Sequence, residues 1–143
     1  MDFKPYIQDL SVGDPKLRFF HATSQSVDWY EPLGAHLIAE FQWVQQHLGG
    51  RHENIVDAGA FHGLYAMVMA SAAGPDSRVV AVDPVKSNGA VMEVNFALNK
   101  LDITIENAAV SLRDEPQHFT TESCGHLSEK GALTVDGKTL PSI

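Results

Sequence analysis

The stretch NIVDAGAFHGLYAMVMA, residues 54–70, decides how the fold is interpreted. An apolar run leads into the acidic Asp57, and Gly59 and Gly63 then interrupt it before apolar residues resume. The first part has the pattern of a buried strand with its exit turn, and residues 63–74 have that of a helix. Glycine at such an exit either turns the chain tightly or makes room for a ligand. The surrounding sequence must decide between these two roles.

Helix and strand patterns alternate on both sides of this stretch. Residues 31–48 predict an amphipathic helix that has Pro32 near its first turn and a pair of glycines after its end. Residues 78–84 predict a second buried strand, residues 87–101 a helix and residues 102–110 a third strand. The order helix, strand, helix, strand, helix, strand is typical of a parallel α/β sheet with right-handed crossovers.

The two ends of the chain carry weaker patterns. Residues 1–28 predict irregular structure or short strands, because proline and glycine punctuate them. Short apolar pieces at residues 117–120 and 131–135 predict a hairpin near the other end. We therefore divide the chain into an N-terminal segment with the amphipathic helix, residues 1–50, and a ligand-binding α/β unit, residues 51–143.

Composition restricts the class of protein and its partners. The chain has 143 residues, enough for one domain, with 44% hydrophobic residues to supply a core. Its formal charge of −8 repels phosphate groups and anionic lipids, so we expect neither a nucleic-acid partner nor a membrane partner. No apolar run reaches the roughly 18 residues of a spanning helix, and the first residues lack a signal-peptide pattern. These features predict a cytoplasmic protein.

A metal site is not predicted. Cys124 is the single cysteine, so no disulfide within the chain is possible. Cys124 lies near His118 and His126, but this grouping lacks a fourth ligand at a convincing spacing. Chance explains the grouping better than a metal does.

Two features together predict a nucleoside site. In open parallel sheets, ligands bind beyond the carboxyl ends of the strands, where Gly59 follows the first strand. Asp83 ends the second strand about two dozen residues later, close to the spacing at which a carboxylate reaches the ribose of an adenosine. A carboxylate accepts hydrogen bonds from both ribose hydroxyls.

The cofactor is better matched by S-adenosylmethionine than by a dinucleotide. The dinucleotide fingerprint would need glycine where Ala58 and Ala60 stand. Asp57 would also place a negative charge beside a pyrophosphate. S-adenosylmethionine has a ribose for Asp83, an ammonium and a sulfonium for the neighbourhood of Asp57, and no phosphate. Its methionine arm needs to approach the backbone closely, which the two loop glycines permit.

Four motifs in order also resemble those of the FkbM-type methyltransferases: VDAGAFHGLYA, AVDP, NFALNKL and NAAVS. The resemblance implies a Rossmann-like class I fold and S-adenosylmethionine-dependent O-methylation of a small-molecule or sugar hydroxyl. It names no catalytic residue, and it brings Asn107 and Ala108 close to the adenine. The implied cofactor-binding residues are Asp57, Gly59, Ala60, Gly63, Asp83, Pro84, Asn107 and Ala108.

The chain departs from the family at the loop itself. Phe61 and His62 stand where the family usually has Asn-Ile, and Asp83 stands where it usually has Glu. For His62, a solvated turn position is favoured over a role at the cofactor or the substrate. For Phe61, packing on the next helix is favoured over packing on the cofactor. Three polar residues before the first core helix are candidates for the mouth of the site or for plain solvent exposure: His21, Tyr30 and Glu31.

The resemblance covers only the first half of the family's domain. Family members continue into a fourth strand, whereas this sequence ends at GKTLPSI. We therefore expect the sheet to be truncated after the third core strand and the hairpin, with the first strand as an edge and apolar surface uncovered. A second copy or another chain is then expected to complete the sheet. The alternatives are a truncated or inactive cofactor-binding module and, less favoured, a nucleotide-dependent oxidoreductase.

Overall fold

A parallel sheet forms the centre of the protein. The computed structural model describes residues 2–12, 16–51, 53–121 and 125–143. Its three central strands lie side by side in the order β3 (Asn54–Ala58), β4 (Arg78–Val82) and β5 (Thr104–Glu106). Both neighbouring pairs are parallel, with Val56 opposite Val80 and Ala81 opposite Ile105. The fold is thus mixed α/β with a parallel sheet, as the alternating pattern predicts.

Three helices pack with the sheet into one apolar core: α2 (Ala35–Leu48), α3 (Leu64–Ala72) and α4 (Lys86–Asn99). The predicted start of α2 at residue 31 is wrong. Gly34 still has extended backbone angles and forms the N-cap, so Pro32 precedes the helix instead of lying in its first turn. The predicted end is confirmed, because Gly49 is the C-cap.

The N-terminal segment is more ordered than its sequence pattern indicates. Strands β1 (Tyr6–Leu10) and β2 (Leu17–His21) pair as an antiparallel hairpin, which confirms the short strands. A helix that was not predicted follows, α1 (Ser24–Tyr30), and the Thr23 side chain accepts a hydrogen bond from the Ser26 amide at its start.

Two asparagines of α4 connect this hairpin to the rest of the protein. The Asn95 amide oxygen accepts a hydrogen bond from the Phe20 backbone at 2.7 Å, and its nitrogen donates to the His62 carbonyl at 2.8 Å. Asn99 bonds both backbone groups of Arg18, at 2.8 and 2.7 Å. Asn95 and Asn99 are four residues apart and thus share one helix face. Asparagine side chains of α4 therefore hydrogen-bond backbone groups on one edge of β2, in the way that a neighbouring strand would.

The buried face of α4 does not coincide with its aliphatic residues. Val91, Val94, Leu98 and Leu101 recur at helical spacing in the sequence, but Val94 is 42% exposed, while Met92 and Phe96 are almost fully buried. Asn95 is fully buried between these two. The face that packs inward therefore includes a polar residue, and a pattern built from aliphatic residues alone does not reveal it.

β3 and β4 differ in burial although both were predicted as buried strands. β4 is buried along nearly its whole length, whereas Val56 of β3 is 39% exposed. Within the described residues β3 pairs with β4 alone, so it is the expected edge strand. The expected uncovered apolar face is present at Val56. It is absent at Val80 and Val82, which are 3% and 1% exposed.

The C-terminal residues form a second sheet and a short 3-10 helix. In this sheet Ala109–Val110 lies beside Leu133–Lys138, followed by Pro116–Thr120 and then His126–Leu127. The predicted hairpin is confirmed because Pro116–Thr120 and Leu133–Lys138 pair antiparallel. Lys138 contacts Glu106 at 2.9 Å and so connects this sheet to β5. The elements are β6 (Ala109–Val110), β7 (Pro116–Thr120), β8 (His126–Leu127), β9 (Leu133–Lys138) and the helix Leu140–Ser142.

None of the helices in the described residues has the length and apolar character needed to cross a bilayer. The longest, α2 and α4, have 14 residues each. A spanning helix needs about 20.

Candidate functional site

A cavity of about 720 Å³ lies at the carboxyl ends of the parallel strands. This is the edge at which ligands bind in open parallel sheets, and its volume lies within the roughly 300–1,000 Å³ range of small-molecule sites. The second sheet contributes Phe119 and Leu127 to its wall, and α1 contributes Trp29. The residues that come from the ends of the parallel strands are Ala58, Gly59, Val82, Asp83, Pro84 and Ala108.

The loop after β3 carries two glycines in the same backbone conformation and in opposite surroundings. Gly59 and Gly63 have φ of 81° and 83°, which favour glycine. A Cβ at Gly59 would meet no atom within 4 Å, so this backbone is open. A Cβ at Gly63 would lie 2.5 Å from the Phe96 ring. Gly63 is therefore explained by packing against α4, whereas Gly59 leaves space on the cavity.

Phe61 is placed in the cavity wall by an unusual backbone conformation. Its φ of 51° is uncommon for a residue other than glycine. Its amide donates a hydrogen bond to Asp83 Oδ2 at 3.0 Å, which stabilises this conformation. Its ring contacts Trp29 and Tyr30, with centroid distances of 4.7 and 6.4 Å. These ring partners belong to α1, a helix that the sequence did not predict, and packing of Phe61 on the next helix stays a prediction.

Asp83 holds the loop together at the end of β4. Besides the Phe61 amide, its carboxylate accepts hydrogen bonds from the Val85 amide at 2.9 Å and from the Asn88 side chain at 3.0 Å. Burial raises the pKa of Asp83, and these hydrogen bonds oppose the rise. A carboxylate has about four acceptor positions. Three are in use, so Oδ2 retains capacity for one more donor.

Asp57 is a buried carboxylate with an unsatisfied oxygen. Its Oδ2 has no hydrogen-bond partner among the described residues. Burial raises the pKa of Asp57 to about 6, the charge of Asp83 raises it further, and the Ala66 amide opposes the shift. Asp57 lies opposite Ala81 in the sheet register, on the face that the helices cover. It is therefore behind the loop and does not line the cavity.

The predicted cofactor-binding residues separate into two groups. A Cβ on Gly89 would collide with the Asn107 side-chain oxygen, which places Asn107 against α4. Ala60 is 5% exposed, and its amide donates to the Val82 carbonyl. The residues that line the cavity are Gly59, Asp83, Pro84 and Ala108, and those that do not line it are Asp57, Ala60, Gly63 and Asn107.

His62 is not a solvated turn residue, so the favoured expectation for it is wrong. It is 1% exposed, and its Nδ1 has no hydrogen-bond partner within the described chain. Its ring stacks on Phe61 with a centroid distance of 3.7 Å. Burial, and secondarily the nearby His21, lower the pKa of His62 to about 4. The imidazole is therefore neutral at pH 7 and supports the Phe61 ring from behind.

The residues proposed for the mouth of the site are mostly buried. His21 is fully buried between Ser26 Oγ at 3.2 Å and Gln8 Oε1 at 2.8 Å. Tyr30 is 7% exposed, and burial raises the pKa of its hydroxyl. Glu31 is half-buried and accepts a hydrogen bond from Tyr6. Both expectations for His21 and Tyr30, a place at the mouth of the site and plain solvent exposure, are therefore wrong.

Sequence reasoning missed the contribution of α1 to the cavity. Gln25 and Trp29 are four residues apart on this helix, and both line the cavity. An aromatic residue inside a short helical pattern was the available signal. It was hidden because a seven-residue helix has too few turns to establish a periodicity.

The described residues contain no group of three His, Cys, Asp or Glu side chains that would hold a metal ion. Cys124, and with it the grouping with His118 and His126, lies outside these residues.

No protein-family model matches the chain, and no curated protein matches its sequence. Inference about function therefore depends on the cavity and on the loop that borders it.

Proposed function

We propose that the protein is an S-adenosylmethionine-dependent methyltransferase with a Rossmann-like domain of the FkbM type, acting on a hydroxyl group of a small molecule. One observation carries this proposal. The open backbone of Gly59 and the carboxylate of Asp83 border the same cavity, at the ends of two neighbouring parallel strands. A nucleoside with an extended arm needs these two features side by side.

The residues of the cavity fit the cofactor along the order of the strands. The methionine arm would lie against Gly59 after β3, where no side chain occupies the space. A ribose hydroxyl would donate to Asp83 Oδ2 after β4. The adenine would contact Ala108 after β5. A second ribose hydrogen bond to Asp83 would require Asn88 to release Oδ1.

Charge favours S-adenosylmethionine over a dinucleotide. No Lys or Arg lines the cavity within the described chain, so a pyrophosphate would meet no positive side chain there. Asp57 and Asp83 make the loop region negative, which suits the ammonium and sulfonium of S-adenosylmethionine. Asp57 would act from behind the loop, through its charge.

When bound, the cofactor would supply a methyl group on a cationic sulfur: the acceptor's hydroxyl oxygen would bond to the methyl carbon as the carbon–sulfur bond breaks, which leaves S-adenosylhomocysteine and releases the hydroxyl proton to solvent. The protein's own contribution is then position and the exclusion of water. Asp83 orients the ribose, the Gly59 backbone accommodates the methionine arm, and the wall formed by Trp29, Phe61 and Phe119 separates the reacting atoms from solvent.

Titration calorimetry with S-adenosylhomocysteine tests the proposal. We expect micromolar binding to the unaltered chain, at least ten-fold weaker binding to Asp83→Asn, and no binding of NADH. Asp102→Asn is the matched control, because Asp102 is exposed and lies away from the cavity lining. Thermal unfolding of each variant separates a lost contact from a lost fold. A folded protein that binds no S-adenosylhomocysteine would refute the proposal.

The outer edge of β3 suggests how the protein meets a partner. Its backbone groups on that side have no strand partner within the described residues, and Val56 is exposed beside them. We propose that a strand of a second copy or of another chain pairs there. Light scattering at several concentrations tests self-association. A cytoplasmic location remains an expectation from the sequence.

A further inference from the structure

Two aromatic rings form a continuous surface at one end of the cavity. Trp29 of α1 and Phe61 of the loop have a centroid distance of 4.7 Å, with planes tilted by 51°. The His62 ring stacks on the Phe61 ring, with an angle of 12° between their planes. Trp29 lines the cavity and keeps 39% of its surface exposed. Together Trp29 and Phe61 are called the aromatic pair here.

The backbone of Phe61 indicates that this ring position is maintained at a cost. Residues other than glycine at positive φ are uncommon and cluster at ligand sites. The Asp83 carboxylate stabilises the conformation through the Phe61 amide, and the buried His62 ring supports Phe61 from behind. Two independent contacts therefore place one ring in the cavity wall.

The aromatic pair lies at the β3 end of the cavity. Phe61 follows β3, whereas Asp83 follows β4 and Ala108 follows β5, and the strands have this order in the sheet. With the ribose at Asp83 and the adenine at Ala108, the methionine arm of the proposed cofactor points toward Gly59. The aromatic pair is then next to the methyl group, where the acceptor must bind.

The charge of the cavity restricts the acceptor. Asp83 and His126 are the titratable side chains among the described lining residues, and neither Lys nor Arg joins them. A phosphorylated or carboxylated acceptor would therefore lose its hydrating water without gaining a Lys or Arg partner from the described lining.

We propose that the aromatic pair is the acceptor-binding surface and selects an uncharged hydroxyl compound that carries a ring or a comparable flat apolar face. Phe119 and Leu127 add apolar surface to the same cavity, and the Gln25 amide, on the same helix as Trp29, offers a hydrogen bond to the acceptor. The proposal rests on the cofactor site proposed above. It adds the identity of the surface and the class of acceptor.

The chain offers a built-in reporter for the test. It contains two tryptophans, and Trp43 lies on α2 with 59% of its surface exposed, away from the cavity. The variant Trp43→Phe therefore leaves Trp29 as the only tryptophan emitter. The Trp29 fluorescence of this variant would be measured as each probe is added in the presence of saturating S-adenosylhomocysteine. The probes are phenyl glucoside, methyl glucoside, which lacks the ring, and phenyl phosphate, which has the ring and a charge.

We expect phenyl glucoside to change the Trp29 emission and to bind about ten-fold more tightly than methyl glucoside, the size expected for one aromatic contact. It should also bind more tightly than phenyl phosphate, whose charge meets no Lys or Arg in the described lining. In Trp29→Phe the remaining Trp43 emission should not respond. Equal binding of the three probes, tighter binding of phenyl phosphate, or an unchanged Trp29 emission would each overturn the proposal.

Variants assign the surface to acceptor or cofactor. We expect Trp29→Leu and Phe61→Leu to weaken phenyl glucoside about ten-fold while the S-adenosylhomocysteine affinity stays within two-fold, with Trp43→Leu as the control for both. A loss of S-adenosylhomocysteine binding in Trp29→Leu would assign the pair to the cofactor and overturn the proposal. If the unaltered chain binds no S-adenosylhomocysteine, the methyltransferase proposal fails and the acceptor surface with it. If it binds without a preference for the ring, only the acceptor surface fails.

Discussion

The two glycines of one loop have the same backbone angle and different reasons for being glycine. Gly59 opens onto the cavity, and a side chain there would meet only empty space. Gly63, four residues on, lies against Phe96 of α4, and a side chain there would overlap the ring. The first half of the loop is thus available to a ligand, while the second half belongs to the core. Glycines of one motif can therefore be needed for different reasons, one for ligand binding and another for packing, and each has to be tested by its own substitution.

The largest expected effect is at the packed end of the loop. Gly63→Ala combines an unfavourable positive φ with overlap of the Phe96 ring, so we expect a loss of about 3 kcal/mol in the free energy of unfolding. Urea denaturation measures it. The double variant with Phe96→Leu relieves the overlap and should lose less than the sum of the single changes. Simple additivity would contradict the packing explanation of Gly63.

The open end of the loop should respond in the opposite sense. Gly59→Ala meets no neighbouring atom, so we expect only the backbone cost of about 1 kcal/mol in stability. The new methyl group points into the space assigned to the methionine arm. S-adenosylhomocysteine binding should therefore weaken at least ten-fold, as measured by calorimetry. Unchanged affinity in a folded variant would show that the ligand does not approach Gly59.

The comparison extends to two buried titratable groups on either side of the loop. The pKa of Asp57 is raised to about 6, so its contribution to stability is present below its ordinary value near 3.8 and is lost as the pH rises through 6. The pKa of His62 is lowered to about 4, so its contribution is present above 6.5 and is lost as the pH falls through 4. The two contributions oppose each other between about pH 4 and 6.

When one of the two groups is removed, the pH dependence of the free energy of unfolding should show the effect of the other. We expect the stability of Asp57→Asn to rise with pH between 4 and 6.5, and that of His62→Gln to fall with pH between 4 and 6. Urea denaturation at several pH values measures both slopes. Parallel slopes in the two variants would contradict the assigned pKa shifts.

The smallest effect on stability is expected at the strand that leads into the loop. Val56→Lys changes an exposed position, so its free energy of unfolding should shift by less than about 0.5 kcal/mol. A lysine on an edge strand also discourages strand addition. If the chain self-associates through β3, light scattering should find this variant less associated. Ala132→Lys, at an exposed position away from β3, controls for the added charge.

The sequence was most informative where local pattern and tertiary structure agree. The strand before Asp83, β4, was predicted because it is central and apolar. The strand before Gly59, β3, was predicted because it fits the same alternation of helix and strand. The edge position of β3 was also predicted, from the family resemblance. The burial of β3 was overestimated, since a short strand with two aliphatic residues at its centre has the same local pattern in a central and in an edge position.

The misses concern residues whose environment comes from distant segments. His62 is buried because Asn95 and the N-terminal hairpin close over the loop, and no feature within the loop indicates this. Trp29 reaches the cavity from a helix of only seven residues, which has no detectable period. The packing role of Gly63 depends on the position of the Phe96 ring, which the sequence does not give. Long-range contacts therefore determined both the wall of the cavity and the role of one glycine.

The asparagines of α4 have a consequence for attempts to cut the chain into fragments. Asn95 joins Phe20 to His62, and Asn99 bonds both backbone groups of Arg18. An expression fragment that begins after residue 50 would keep both asparagines and remove their partners from β2. One of the two, Asn95, would then be a buried amide with half its hydrogen bonds missing, directly beneath the loop. The boundary at residue 50 follows the sequence pattern, but a fragment that starts there would lack the β2 residues whose hydrogen bonds to α4 support the loop after β3.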